Sequence, residues 1–337
     1  MRQRVSRPIV GLVLLLFFLL PSQRALTKLE ALPPVCEALA FSTEEDFVTQ
    51  GTDPPDGIAV ISDGDLLSVE PAASGPGTGV ICARNAELLK ELDVAVDLGL
   101  DAADVVSAEG ALVAFSTELD SPHGDQFTAG DLLVTNGTII RNQALTALWQ
   151  VTYDVGLDAV HLVGDLDRIV EFLKAAAEVS PVDGSELFDL FESFPEVDIW
   201  FSTEGTWLPD EVNGFLDGDL LSARSGTVLI KQQDLPDPSV PAGIPSDGVD
   251  FGLDAVTTDR IGDQAKVRFS SEILYDDDIS FTDGDVIWVG NGIAWTNDAM
   301  IRPLEPLVKE LGLDAIHGTL MEDSQEIYLP AIMKEYR

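Results

Sequence analysis

Basic residues are scarce in this chain. Nineteen Lys and Arg stand against 59 Asp and Glu in 337 residues, a formal net charge of −40. A surface of that sign repels nucleic acid and anionic membranes, which argues against both as partners. It suits solubility, divalent cations or basic partners. Cysteine is nearly absent, with only Cys36 and Cys82. Two cysteines give no spacing pattern, so one disulfide and two buried thiols both remain open. Histidine occurs three times and aromatic residues make up 7% of the chain, with no evident sugar-stacking cluster. There is no Gly-x-Ser-x-Gly and no Cys-His pattern in a recognisable context. Phosphate-cradling glycine loops, dinucleotide fingerprints and EF-hand or glycine-rich calcium repeats are missing too.

Long apolar runs are also lacking. The N-terminal run, Ile9–Leu20, follows Arg2, Arg4 and Arg7 and ends before Pro21. It is short for a relaxed membrane span and right for the core of a signal peptide. The sequence therefore predicts an exported, secreted or extracytoplasmic protein with a signal peptide at 1–25, or that segment kept as an uncleaved anchor. Its only membrane contact would be through that segment. Its removal takes four Arg away and moves the net charge to −44. The remainder is not a disordered acidic tail, because 45% of the chain is hydrophobic and can bury a core.

What is present is a repeat. Phe-Ser-Thr-Glu occurs at 41–44, 115–118 and 201–204, and Phe-Ser-Ser-Glu at 269–272. Each is followed by a Gly-Asp step with two apolar residues (64–67, 130–133, 218–221, 284–287), then by a glycine opening a second apolar run (79–82, 137–140, 226–229, 292–295). Gly-Leu-Asp-Ala closes the series at 99–102, 156–159, 252–255 and 312–315. Four elements recur four times in one order, which marks a repeat architecture.

Each element reads as a strand. Val113–Glu118 alternates apolar and small or polar residues. Asn136-Gly137 is a tight-hairpin signal, preferred over its reading as a glycosylation acceptor. The 155–163 stretch is more continuously apolar, as a strand buried on both faces would be. Short helices are expected after the outer strand in three repeats, with Asn85, Asn142 and Asn297 as N-caps. The third repeat has a Pro-rich loop there instead (234–248), which cannot be helical. An insert at 164–196 reads as two amphipathic helices, with apolar faces built from Phe172, Leu173, Leu187, Phe188, Leu190, Phe191 and Phe194. These pack on the blade beneath or form a ledge for a partner.

Counted from Gly-Leu-Asp-Ala, every unit holds four consecutive strands, the make-up of a propeller blade. The fold class expected is mainly β: a four-repeat, β-propeller-like ring over 36–320, with short helices between blades and the helical insert. The segment 312–320 supplies a lone first strand that would complete the first blade and remove an exposed edge. Residues 321–337 form a tail. The Asp-Ala steps at Asp101-Ala102, Asp158-Ala159, Asp254-Ala255 and Asp314-Ala315, with a short helix after the outer strand in three of the units, resemble the hemopexin-like four-bladed propeller. That family's aromatic signatures are missing here. Another small propeller and an open stack of β units with helices on one side are the alternatives.

Three acidic positions repeat: Glu44, Glu118, Glu204 and Glu272; Asp65, Asp131, Asp219 and Asp285; and Asp101, Asp158, Asp254 and Asp314. A residue present in every unit serves what every unit needs, and Asp readily bonds turn amides. The rival reading is a metal site. The resemblance places Asp101, Asp158, Asp254 and Asp314 around one axis, where four carboxylates repel unless protons or a cation such as calcium neutralise them. His161 and His317 share one repeat position, occupied by Asp104 and Thr257 in the other units. They read as strand histidines bonded to neighbouring backbone, or, with Asp104, as a transition-metal site. His123 reads as a loop residue. The function expected is an extracellular binding or scaffold module for a protein or carbohydrate ligand, with structural calcium. The runner-up is a secreted, carboxylate-dependent hydrolase acting on polysaccharide.

Overall fold

The structure, a computed structural model, describes residues 31–318 apart from 52–53, 55, 71–76, 210–213, 244–247 and 278. The expected signal peptide, the 321–337 tail and the last two residues of the closing segment lie outside them. The described chain is mainly β, in small antiparallel sheets with few helices.

Four sheets carry four strands each. The second sheet runs Ala103–Ser107, Leu112–Phe115, Leu132–Val134 and Ile139–Ile140. The third runs Val160–Val163, Asp198–Phe201, Leu220–Ser222 and Thr227–Ile230. The fourth runs Ala255–Thr257, Arg268–Ser270, Val286–Trp288 and Ile293–Trp295. The first joins both ends of the described chain: Ile316–Gly318 pairs with Leu39–Phe41, which pairs with Leu66–Glu70 and then Thr78–Ala83. Leu39 lies opposite Gly318 and Phe41 opposite Ile316. The Gly-Leu-Asp-Ala aspartates precede these first strands rather than lying within them.

The Phe-Ser pair explains how sheets stack. Successive strand residues point to opposite faces. Phe115, Phe201, Phe269 and Phe41 each enter a different core: between the first and second sheets, the second and third, the third and fourth, and the fourth and first. Each neighbouring Ser points the other way and donates to the Gly-Leu-Asp-Ala leucine carbonyl of the following sheet. Ser42 Oγ reaches Leu100 O at 3.2 Å, Ser116 reaches Leu157 at 2.8 Å, Ser202 reaches Leu253 at 2.6 Å and Ser270 reaches Leu313 at 3.3 Å. The third residue, Thr or Ser, bonds the carbonyl two residues on and fixes the turn.

Two amphipathic helices, Leu166–Val179 and Gly184–Ser193, follow the first strand of the third sheet. Asp165 and Asp183 cap them by accepting first-turn amides. Phe172, Leu173, Leu187, Leu190 and Phe191 are buried in the core between the second and third sheets. Phe188 instead faces solvent, 53% exposed. Cys36 and Cys82 form a disulfide across Cα atoms 6.0 Å apart.

The expected Asn caps are corrected. Arg84, Arg141 and Thr296 hold the cap positions, and the helices begin on Asn85, Asn142 and Asn297. The three asparagines are buried. Their side-chain amides tie the Gly-Asp turn to the chain leading into the next Gly-Leu-Asp-Ala. Asn142 Nδ2 donates to Gly130 O and Gly156 O, and its Oδ1 accepts from Val155 N–H. Asn85 and Asn297 make the same three kinds of bond. Gln232 takes this place in the third sheet and keeps one of them, to Val249 O.

Candidate functional site

The repeated carboxylates part into two groups. Asp65, Asp131, Asp219 and Asp285 serve turns. Oδ2 of each accepts the amide three residues earlier, and Oδ1 accepts the amide of Asn85, Asn142, Gln232 or Asn297. Arg84 and Arg141 pair with two of them. For this set the turn reading holds.

The other two sets converge instead of capping turns. The Glu that ends Phe-Ser-Thr-Glu lies against the glycine of Gly-Leu-Asp-Ala in its own sheet. A Cβ on Gly99, Gly156, Gly252 or Gly312 would come within 2.0–2.5 Å of Glu118, Glu204, Glu272 or Glu44. Gly99, Gly156 and Gly252 also have φ of 68–78°, the left-handed region that favours glycine. Glycine thus admits the glutamate to the same end of the sheets as the aspartates.

There, Glu44, Asp254 and Asp314 place carboxylate oxygens within 4.8 Å of one another, and Asp101, Asp158 and Glu204 do the same. Asp158, Asp254 and Asp314 are 5–7% exposed. Oδ2 of all four aspartates is buried without a hydrogen-bond partner among the described residues. Burial first, then neighbouring carboxylates, push all four aspartates well above the usual range. The same causes raise Glu44 and Glu118 to about 7, and raise Glu204 and Glu272. A cleft of about 460 Å³ opens beside Glu204 and is lined by Asp120, Tyr153, Asp154 and Thr206.

Three residues further along the first strands, roughly 10 Å by strand geometry, lie Asp104, His161, Thr257 and His317. All four are at most 1% exposed. Thr257 Oγ1 exchanges bonds with the backbone of Gly318. Asp104 Oδ2 accepts from Arg260 Nη1 at 2.5 Å and from Leu162 N–H at 2.8 Å. Its Oδ1 faces His317 Nδ1 at 2.7 Å and His161 Nδ1 at 3.3 Å. Burial opposes ionisation of Asp104, but Arg260 and the histidines overcome it and hold its carboxyl well below the usual range. Burial lowers the pKa of His161 against the pull of Asp104. His317 does bond neighbouring backbone, through Nε2 to Glu37 O at 3.0 Å. His161 does not: its Nδ1 has only the long approach to Asp104, and its Nε2 has no hydrogen-bond partner among the described residues. Arg260, the basic member of this cluster, belongs to no repeat. His123 is an exposed loop residue whose Nε2 meets Asp93 O at 3.0 Å.

The acidic end can take up protons or hard cations, and the histidine end offers nitrogen and oxygen together. No family model, no curated protein and no solved structure matches this chain, so its function is read from this geometry.

Proposed function

We propose that the four sheets form a closed, four-bladed, propeller-like ring that works outside the cell as a binding or scaffold module, with calcium held by Asp101, Asp158, Asp254 and Asp314. Closure is supported by the pairing of the last described strand with the first and by the four serine bonds, which return to the first sheet. It is also supported by four hydrophobic cores that each join consecutive sheets. Export is supported by the Cys36–Cys82 disulfide, a bond that persists in oxidising compartments.

The observation that carries the cation reading is the set of four buried Oδ2 atoms without partners. Buried polar atoms are nearly always satisfied, and an orphaned carboxylate oxygen is the costly kind. Calcium takes six to eight oxygens at about 2.3–2.6 Å, and the two carboxylate triads, Glu44 with Asp254 and Asp314 and Asp101 with Asp158 and Glu204, are the oxygens it would draw on. The ion would act structurally, joining the four units at one point. Proteins or carbohydrates would then be bound on the rigid rim. Thermal melts of the full chain in chelator and in millimolar calcium, at fixed ionic strength, test this. A cation that binds only the folded state must raise the melting temperature, and identical melts would overturn the reading.

The cleft beside Glu204 favours one second reading, carboxylate-dependent hydrolysis of a polysaccharide. Tyr153 stands there half exposed, its ring edge-on to Trp207 at 5.6 Å, and could stack on a sugar. Release of reducing ends that disappears in Glu204→Gln would establish it.

A further inference from the structure

We propose that Asp104, His161 and His317 form a transition-metal site, separate from the acidic end, that takes zinc or a similar borderline divalent ion. The argument starts from proton counting. The Glu37 carbonyl can only accept, so His317 Nε2 must carry a proton. The neutral ring of that form has a lone pair on Nδ1. This lone pair points at Asp104 Oδ1, itself an ionised acceptor, at 2.7 Å. Two acceptors at that distance repel unless a positive charge sits between them. A proton would serve, and so would a metal ion.

His161 favours the ion. Its imidazole is fully buried, and the long approach of Nδ1 to Asp104 Oδ1 is the only polar contact either ring nitrogen makes among the described residues, a costly arrangement. That approach is 3.3 Å, and the three ligand atoms all lie within 4.8 Å of one another. Tetrahedral zinc, with ligands at about 2.0–2.2 Å, spaces its ligand atoms about 3.3 Å apart. Asp104 Oδ1 already stands 3.3 Å from His161 Nδ1, so a small movement of His317 away from its 2.7 Å contact would give both pairs that spacing.

The surroundings match what ligands require. Metal-bound histidines characteristically give their other N–H to a carbonyl, as His317 does to Glu37, and ligating carboxylates are held by hydrogen bonds of their own. Arg260 and Leu162 N–H hold the far oxygen of Asp104. Arg260 is fixed in turn by Leu162 O at 2.8 Å and Val105 O at 2.7 Å. Mixed nitrogen and oxygen donors select zinc, cobalt or copper over calcium, so the two ends sort cations by hardness.

The test uses chelator-stripped full chain and cobalt(II) or zinc(II) alone. Cobalt should bind at one equivalent with the intense visible absorption of a four-coordinate, nitrogen-ligated ion. Asp254→Asn with Asp314→Asn, at the acidic end, should leave that spectrum in place. His161→Ala should weaken cobalt binding by at least about 100-fold, since even second-shell losses reach 10–100-fold. The ring ¹⁵N resonances of the native protein supply a second readout that does not depend on the folding of His161→Ala. Zinc should shift Nδ1 of both His161 and His317. Ring resonances unmoved by zinc, or cobalt giving only the weak spectrum of an oxygen-ligated ion, would overturn the proposal.

Discussion

The acidic end makes stability depend on pH in an unusual direction. Most folded proteins hold their carboxylates below the ordinary pKa and so lose stability on acidification. Here Glu44 and Glu118 rise from 4.5 to about 7, and the four aspartates rise with them. The folded state therefore keeps protons that the unfolded chain has given up. Stability from the two glutamates is full below about pH 4.5 and is lost as pH climbs to about 7. One unit is worth about 1.4 kcal/mol, so the two glutamates would lose about 7 kcal/mol if wholly enclosed. Both are partly exposed, and screening brings the pair to about 3 kcal/mol. On the proposed reading, calcium would neutralise the same charges without needing the protons. At a hundred times its Kd it would add about 2.7 kcal/mol, which would offset a loss of that size. The assay is urea unfolding in chelator and in calcium, at about pH 5 and about pH 8. Chelator-treated protein should be less stable at the higher pH, and calcium should narrow the gap. Stability that rises between these two pH values in chelator, or a gap that calcium leaves unchanged, would refute the reasoning. Asp254→Asn with Asp314→Asn should flatten the pH dependence and blunt the response to calcium.

Other outcomes follow from the way the sheets are joined. Asn142→Ala removes three buried hydrogen bonds at once and should cost about 3 kcal/mol or more, read as a lower urea midpoint at unchanged m-value. Reduction of Cys36–Cys82 opens a link of sequence separation 46 and should cost up to about 4 kcal/mol on the chain-entropy estimate, seen as a lower melting temperature in dithiothreitol. Deleting 312–337 removes the strand paired with Leu39–Phe41, together with Asp314 and His317, and should abolish a single cooperative transition. Cooperative unfolding retained after that deletion would sink the closed ring.

The sequence carried the repeat, the strands and the turn aspartates because each is a local rule written four times. Gly-Asp before an apolar pair says hairpin, and Asp65, Asp131, Asp219 and Asp285 bond the amides that such a turn leaves free. What stayed hidden depends on distance. The asparagines look like helix caps because they stand at helix starts, but the cap falls one residue earlier and burial turns their amides toward two other segments. Their recurrence in three units was the available signal, since a solvent-facing cap accepts several residue types and has less reason to be Asn each time. The glutamates of Phe-Ser-Thr-Glu look like strand ends, and only the contact with the Gly-Leu-Asp-Ala glycine shows that they share space with the aspartates. Repetition alone therefore does not say whether an acid bonds a turn. Repeated residues serve turns separately when they sit in hairpins, whereas Glu44, Asp254 and Asp314, and Asp101, Asp158 and Glu204, lie within 4.8 Å of one another. The histidine cluster shows the converse. His161, His317 and Asp104 share a repeat position, but Arg260, which holds Asp104 in its charged form, has no counterpart in the other units. A repeat fold can gain a specific site where its symmetry is broken, and on the proposed reading the unmatched arginine is what sets the histidine end apart from the four-times-repeated acids.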